Sequence, residues 1–176
     1  MVRRGWPWPG CGAADLAPDG RHPALEQPSG RASGASDGVA AAPYPGHLGA
    51  GAQAVRGFGE ALFLDANQNV VECTGENVFL VKDGRVTAVA HDDALPGITR
   101  ETVIELTGAQ VRPVTLAELH DADEVFLTGT SAEVAAIEAL DDTVYGDNPV
   151  TRELQSLYAR LVRGEVSGYE HWLTRF

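Results

Sequence analysis

Asp83-Gly84 lies between two apolar, β-rich runs, Val78-Phe79-Leu80-Val81 and Arg85-Val86-Thr87-Ala88-Val89. A two-residue hairpin loop needs positive φ at both central positions. Asp-Gly supplies this at small steric cost, so it is the strongest short-range hairpin signal in the chain. It commits the middle of the sequence to antiparallel β structure. Upstream, Glu60 to Asp65 predicts a buried strand, Asn67-Gln68-Asn69 a turn and Val70-Val71-Glu72 a returning strand. Downstream, Pro96-Gly97 bends into a helix over Ile98 to Leu106, and Thr115-x-x-Glu118 is a capping box that starts a short helix over Leu116 to His120. Glu124 to Thr128 predicts a strand broken by Gly129, and Val134 to Leu140 a further strand. Val150, Leu154, Leu157, Tyr158, Leu161 and Val162 form an amphipathic stripe on a helix from Val150 to Arg163, ended by Gly164. Small residues from Tyr44 to Val55, with Leu48 and Ala52 at helical spacing, predict a weak helix. Helices and strands alternate irregularly with hairpins among them, which implies a mixed α/β (α+β) domain rather than a doubly wound parallel sheet.

Charge and composition divide the chain. Residues 1–37 carry four Arg against four acidic groups, so the whole net charge of −12 arises from residues 38–176. The first segment is rich in Gly, Pro, Ala and Arg and shows no hydrophobic period, so it buries too little apolar surface to offset its ordering entropy. An irregular or disordered segment is expected over 1–37 and a folded domain over 38–176. The acidic balance argues against a nucleic-acid or anionic-membrane surface. No apolar run approaches the ~20 residues of a membrane-spanning helix, and the N-terminal arginines have no apolar stretch after them to make a secretory signal. Cys11 and Cys73 give neither a disulfide framework nor zinc-ligand spacing. The expectation is a cytoplasmic protein without a metal site.

Two backbone turns have the form of an anion cradle. In Leu95-Pro96-Gly97-Ile98-Thr99 the bend sets the amides of Ile98 and Thr99 at a helix N-terminus, where they lack intrahelical acceptors and the helix dipole favours negative charge. Thr130, just past Gly129, offers a hydroxyl and an amide to the same anion. Taken alone, each turn is ordinary. Glu72 ends a strand beside the small residues Cys73, Thr74 and Gly75, where a carboxylate can approach a flat ring. In isolation such a residue is more often a surface glutamate. Lys82, the single lysine, adjoins the hairpin turn as a solvated lysine would.

Three strings, taken in order, carry a resemblance: Glu72-Cys-Thr-Gly-Glu-Asn-Val-Phe79, Leu95-Pro-Gly-Ile-Thr-Arg100 and Ala122-Asp-Glu-Val-Phe-Leu-Thr-Gly-Thr130. With Pro149-Val150-Thr151, Arg163-Gly164-Glu165 and His171-Trp172-Leu173, they resemble the cofactor-binding second domain of the branched-chain amino acid aminotransferases. These are fold-type IV enzymes that use pyridoxal 5′-phosphate (PLP). The likeness covers residues 57–176 well and 39–56 loosely. It implies a pseudo-barrel of strands with surrounding helices. It also implies amino transfer between leucine, isoleucine or valine and 2-oxoglutarate. By the resemblance Glu72 pairs with the pyridine nitrogen and keeps it protonated. Leu95 packs on the ring, Ile98, Thr99 and Thr130 hold the phosphate, and Tyr44 bonds the phenolic oxygen. Gly129, Thr130 and Ser131 offer amides to the substrate carboxylate.

The sequence departs from that pattern at one position above all. The family's Schiff-base lysine lies five residues before the tyrosine, and counting back from Tyr44 reaches Val39, or Gly38 if one residue is gained or lost; neither forms an imine. Pro43 replaces the usual asparagine. By the resemblance the family's first domain is missing, and a truncated or frame-shifted reading frame is the expected origin of residues 1–37. The chain alone is expected to be nearly inactive. The alternatives are a non-catalytic remnant that binds PLP or a phosphorylated ligand, and a relative of the D-amino acid aminotransferases or aminodeoxychorismate lyases. Self-association, or pairing with a complete subunit, is expected where a missing domain leaves an apolar face.

Overall fold

The structure, a computed structural model, describes residues 38–43 and 59–173. The expected irregular segment 1–37, the weak helix over 44–55 and Tyr44 lie outside these residues. In chain order the first half comprises β1 (Gly38–Pro43), β2 (Glu60–Leu64), β3 (Val70–Cys73), β4 (Asn77–Lys82), β5 (Arg85–Val89) and α1 (Ile98–Thr107). The second half comprises β6 (Gln110–Arg112), α2 (Leu116–His120), β7 (Glu124–Gly129), β8 (Glu133–Ala136), β9 (Ala139–Leu140), β10 (Thr143–Val144) and α3 (Pro149–Val162), followed by a 3-10 turn at Glu170–Trp172.

The hairpin forms as its turn chemistry demands. Asp83 has φ 49° and Gly84 φ 71°, and β4 pairs antiparallel with β5, Phe79 opposite Ala88. On its other edge β4 pairs antiparallel with β7, and the sheet order is β6-β5-β4-β7-β8. A second sheet, β10-β9-β1-β2-β3, mixes parallel and antiparallel pairs, with β1 parallel to both β2 and β9. Side-chain alternation along β4 and β7 explains why both strands are continuously apolar. Val78, Leu80, Val125 and Leu127 face inward onto Leu62, Leu64 and Val70 of the second sheet. Phe79, Val81 and Phe126 face the other way, onto Val103 and Leu106 of α1 and Leu154 and Leu161 of α3. Phe79 and Phe126 stack with ring centroids 4.8 Å apart and planes almost parallel. The central sheet is therefore buried on both faces, between a second sheet and a helical layer. Among the described residues no helix is long and apolar enough to cross a membrane.

Helix boundaries follow local chemistry. The capping box of α2 closes both ways: the Glu118 amide donates to Thr115 Oγ1 (3.3 Å), and the Thr115 amide donates to Glu118 Oε2 (3.0 Å). α1 ends at Gly108, whose φ of 64° lets its amide reach the Ile104 carbonyl. α3 starts at Pro149 after Asn148 in a left-handed conformation and closes at Gly164, φ 76°. Its stripe is narrower than expected. Thr151, Leu154 and Leu161 are buried, whereas Val162 stands exposed.

One expected element divides in two. Val134 to Leu140 is not a single strand: β8 pairs with β7, while β9 pairs with β1 in the other sheet. Between them Ile137 is buried in the inter-sheet core and its amide donates to the Val125 carbonyl (3.1 Å). The chain thus changes sheets inside an apolar run.

Candidate cofactor-binding site

Three connections meet where β4 begins and β7 ends. Asn77 and Thr128 are register partners, and alternation puts them on the same face as Phe79 and Phe126, the face that α1 covers. Asn77 is buried, 7% exposed, and its Nδ2 donates to the Leu95 carbonyl at 2.8 Å. The amide of the same Leu95 donates to Glu72 Oε2 at 2.9 Å. Both polar groups of one backbone residue are therefore held by side chains from the end of β3 and the start of β4. A Cβ at Gly97 would lie 2.2 Å from Asn77 Oδ1, so the bend into α1 is pressed against that amide. Gly129 is equally confined: its Cβ would meet the Gly75 carbonyl and Glu76 Cγ at 3.2 Å. The 72–76 loop, the 95–98 bend and the end of β7 are thus packed on one another.

Polarity differs across this cluster. α2 is capped by Thr115. α3 is capped by Glu124, whose carboxylate accepts from the Val150 amide (2.9 Å), the Thr151 amide (2.8 Å) and Thr151 Oγ1 (2.7 Å). α1 alone of these three helices has no side-chain cap. Its first intrahelical bond runs from the Glu101 amide to the Gly97 carbonyl (3.0 Å). The amides before it, at Ile98, Thr99 and Arg100, have no acceptor within the helix and carry the positive end of its dipole. On the opposite side stand Glu60, Glu72 and Glu76. Glu60 Oε1 accepts from the Ala61 and Thr74 amides (2.8 and 3.1 Å), which fastens β2 to the 72–76 loop. Burial, with the Glu60 charge second, holds the Glu76 carboxyl above its ordinary value. Burial pushes the Cys73 thiol up strongly, aided by Glu60, Glu76 and Glu72. A ligand with an anionic end and a cationic ring matches this arrangement. Glu72 keeps Oε2 on the Leu95 amide, and no protein partner is seen for its other oxygen among the described residues.

The expected residues fall as follows. Glu72, Leu95, Ile98 and Thr99 belong to this cluster. Leu95 and Ile98 are 71% and 85% exposed, two apolar side chains at its mouth, and Thr99 is buried. Gly129 joins it through Gly75 and Glu76, with Thr130 and Ser131 exposed on the turn beyond. Val39 lies on β1 opposite Glu60, beside the strand that Glu60 fastens to the 72–76 loop. Lys82 is at the far end of β4, ~17 Å from Asn77 along an extended strand. There Asp121 (3.2 Å) and Asp123 (3.5 Å) hold it, and the Asp121 partner raises its pKa. It is a structural lysine. Sequence reasoning missed Asn77, Gly97 as a close-contact position, and Thr128, whose buried Oγ1 has no partner among the described residues. A polar residue at the start of one apolar strand and another near the end of a second was the available signal.

With this geometry in hand, the family is defined: residues 41–140, more than half of the chain, match the amino-transferase class IV model, and the chain belongs to that family. Among curated relatives, a probable branched-chain-amino-acid aminotransferase of Aquifex aeolicus is 40% identical over 67% of this chain and 41% of its own length. The branched-chain-amino-acid aminotransferase of Escherichia coli K12 is 39% identical over 74% of this chain and 45% of its own length. A solved structure of the branched-chain amino acid aminotransferase from Thermobaculum terrenum, in its PLP form, superposes with a TM-score of 0.68. It is 36% identical, covering 72% of this chain and 45% of that one. The Thermoproteus uzoniensis branched-chain aminotransferase with norvaline gives a TM-score of 0.68 at 38% identity, over 72% of this chain and 45% of that one. The chain spans less than half the length of the curated relatives it matches.

Proposed function

We propose that this chain is the cofactor-binding half of a branched-chain amino acid aminotransferase and holds PLP non-covalently. The uncapped N-terminus of α1, fixed by Asn77 and Glu72 through Leu95, is the observation that carries the reading. In it the amides of Ile98 and Thr99, with Thr130, bind the phosphate, and Glu72 accepts the ring N–H. Leu95 and Ile98 cover the ligand and exclude water. Gly129, Thr130 and Ser131 offer amides to a substrate carboxylate, and Tyr44 serves the phenolic oxygen. Bound PLP supplies an electron sink for amino transfer between a branched-chain amino acid and a 2-oxo acid.

Amino transfer also needs a base that moves a proton at the substrate Cα. This sequence has Lys82 as its one lysine, held in ion pairs at the wrong end of β4. The chain by itself therefore binds cofactor without turnover, in the cytoplasm, and its exposed apolar mouth favours pairing with itself or with a complete subunit. Titration with PLP followed by dialysis tests this. Reversible binding, weakened in Thr130→Ala, with no transamination of leucine and 2-oxoglutarate, is the expected result. A Val39→Lys variant should retain the cofactor covalently after borohydride reduction. Turnover by the unaltered chain, or no PLP binding at all, would overturn the reading.

A further inference from the structure

The two halves of the site share one residue of backbone. Leu95 gives its amide to Glu72 Oε2 at 2.9 Å and its carbonyl to Asn77 Nδ2 at 2.8 Å. Two residues on, Gly97 is the N-cap of α1, and the space beside it is filled by Asn77 Oδ1. Glu72 faces the cationic side of the cluster and the α1 amides face its anionic side, so Leu95 is the physical link between them. Asn77 is buried and β4 is paired on both edges, with β5 and with β7, so its amide is a fixed point rather than a mobile contact. Leu95 itself is mostly exposed and belongs to neither apolar core cluster. Its backbone carries both bonds to the clasp.

We propose that Asn77 is a positioning residue which, by clasping Leu95 jointly with Glu72, couples the carboxylate that meets the ring to the helix end that meets the phosphate, so that the two subsites fill cooperatively. The inference rests on the proposed cofactor reading. Occupying either subsite orders the 95–98 bend, and the second ligand then binds a bend already in place. Linkage makes the effect reciprocal: each ligand tightens the other by the same factor. The single-ligand contacts do not depend on this link. Thr99 and Thr130 still face the anion, and the second oxygen of Glu72 still faces the ring.

Splitting the cofactor into its parts tests the coupling. Calorimetric titration of the purified chain uses inorganic phosphate for one subsite and pyridoxine, which carries the ring without the aldehyde, for the other. Saturating pyridoxine should tighten phosphate about fivefold or more, and saturating phosphate should tighten pyridoxine by the same factor. In Asn77→Ala that factor should fall to one while each ligand alone still binds. Asn77→Leu, which keeps the volume, adds no charge and loses the Nδ2 donor, should behave likewise and serves if Asn77→Ala does not fold. Independently of any ligand, the Leu95 amide should exchange with solvent faster in both variants, whereas the Val78 and Leu80 amides should not. Binding of both ligands with no mutual effect in the unaltered chain, or full coupling retained in the variants, would overturn the coupling alone. Failure of the unaltered chain to bind either ligand would overturn the cofactor reading with it.

Discussion

Replacing Gly97 by alanine adds one methyl group at the tightest point of the site. The backbone there has φ −85° and ψ 135°, which alanine adopts freely, so any cost comes from the side chain. The new Cβ would stand 2.2 Å from Asn77 Oδ1, more than an ångström inside ordinary contact. Asn77 cannot turn aside cheaply, because it is buried and its Nδ2 holds the Leu95 carbonyl. Relief requires breaking that bond, which leaves a buried amide unpaired at about 1–3 kcal/mol. The alternative is to displace the bend, at an overpacking cost of about 1–3 kcal/mol. Gly97→Ala should therefore lose about 2 kcal/mol in urea denaturation and weaken PLP binding, which spans both subsites. The control is the double variant. In an Asn77→Ala background the methyl group has room, and Gly97→Ala should then be neutral or slightly stabilising, since alanine restricts the unfolded chain. A Gly97→Ala variant within about 0.5 kcal/mol of the parent, the range of an uneventful surface substitution, or a penalty that persists without Asn77, would refute the reasoning.

Other outcomes follow from the same contacts. Glu124→Ala should cost about 3 kcal/mol, because two backbone amides and the Thr151 hydroxyl at the start of α3 lose their acceptor in a buried setting. Glu124→Gln, which keeps part of the cap, should cost roughly half as much; equal stability of all three proteins by denaturant melting would count against the cap. The Glu118 carboxyl is held below its ordinary value by the Thr115 amide, with Arg112 assisting, so its capping contribution is present above about pH 4.5 and lost as the pH falls through the folded value. Because Glu118 is partly exposed, the stability gap to Glu118→Gln should be under about 1 kcal/mol at about pH 7 and should shrink as the pH falls below about 4.5. Cys73 is buried and its thiol is pushed well up, so iodoacetamide should label it only after denaturation; rapid labelling of Cys73 in the native protein, told apart from Cys11 by peptide mapping, would contradict the placement of β3.

The elements legible in the sequence were those whose signals are local. Asp83-Gly84 needs no tertiary context to demand positive φ, and Thr115 with Glu118 closes its box within one turn. Gly164 likewise ends α3 by its own backbone freedom. The parts that were not legible depend on distant partners. Val134 to Leu140 reads as one strand, and only the presence of β7 on one side and β1 on the other divides it between two sheets. β6 went unseen because a three-residue parallel edge strand has no period to detect. Glu124 looked like the polar start of a strand, although its carboxylate caps a helix that begins twenty-five residues later in the sequence. In the candidate site, the anion-facing turn was visible because Pro-Gly before a helix is a local pattern. Asn77 was not, because its role is a bond to a carbonyl eighteen positions away.

The central claim is that the uncapped end of α1, the end of β7 and Glu72 surround one ligand. Amide chemical shifts of the isotopically labelled chain, followed during a PLP titration, test it most directly. The account predicts that Ile98, Thr99 and Thr130 move together with a single dissociation constant, with Glu72 and Leu95 following the same curve. Shifts confined to the Lys82 end of β4, or separate saturation of the α1 and β7 amides, would contradict it.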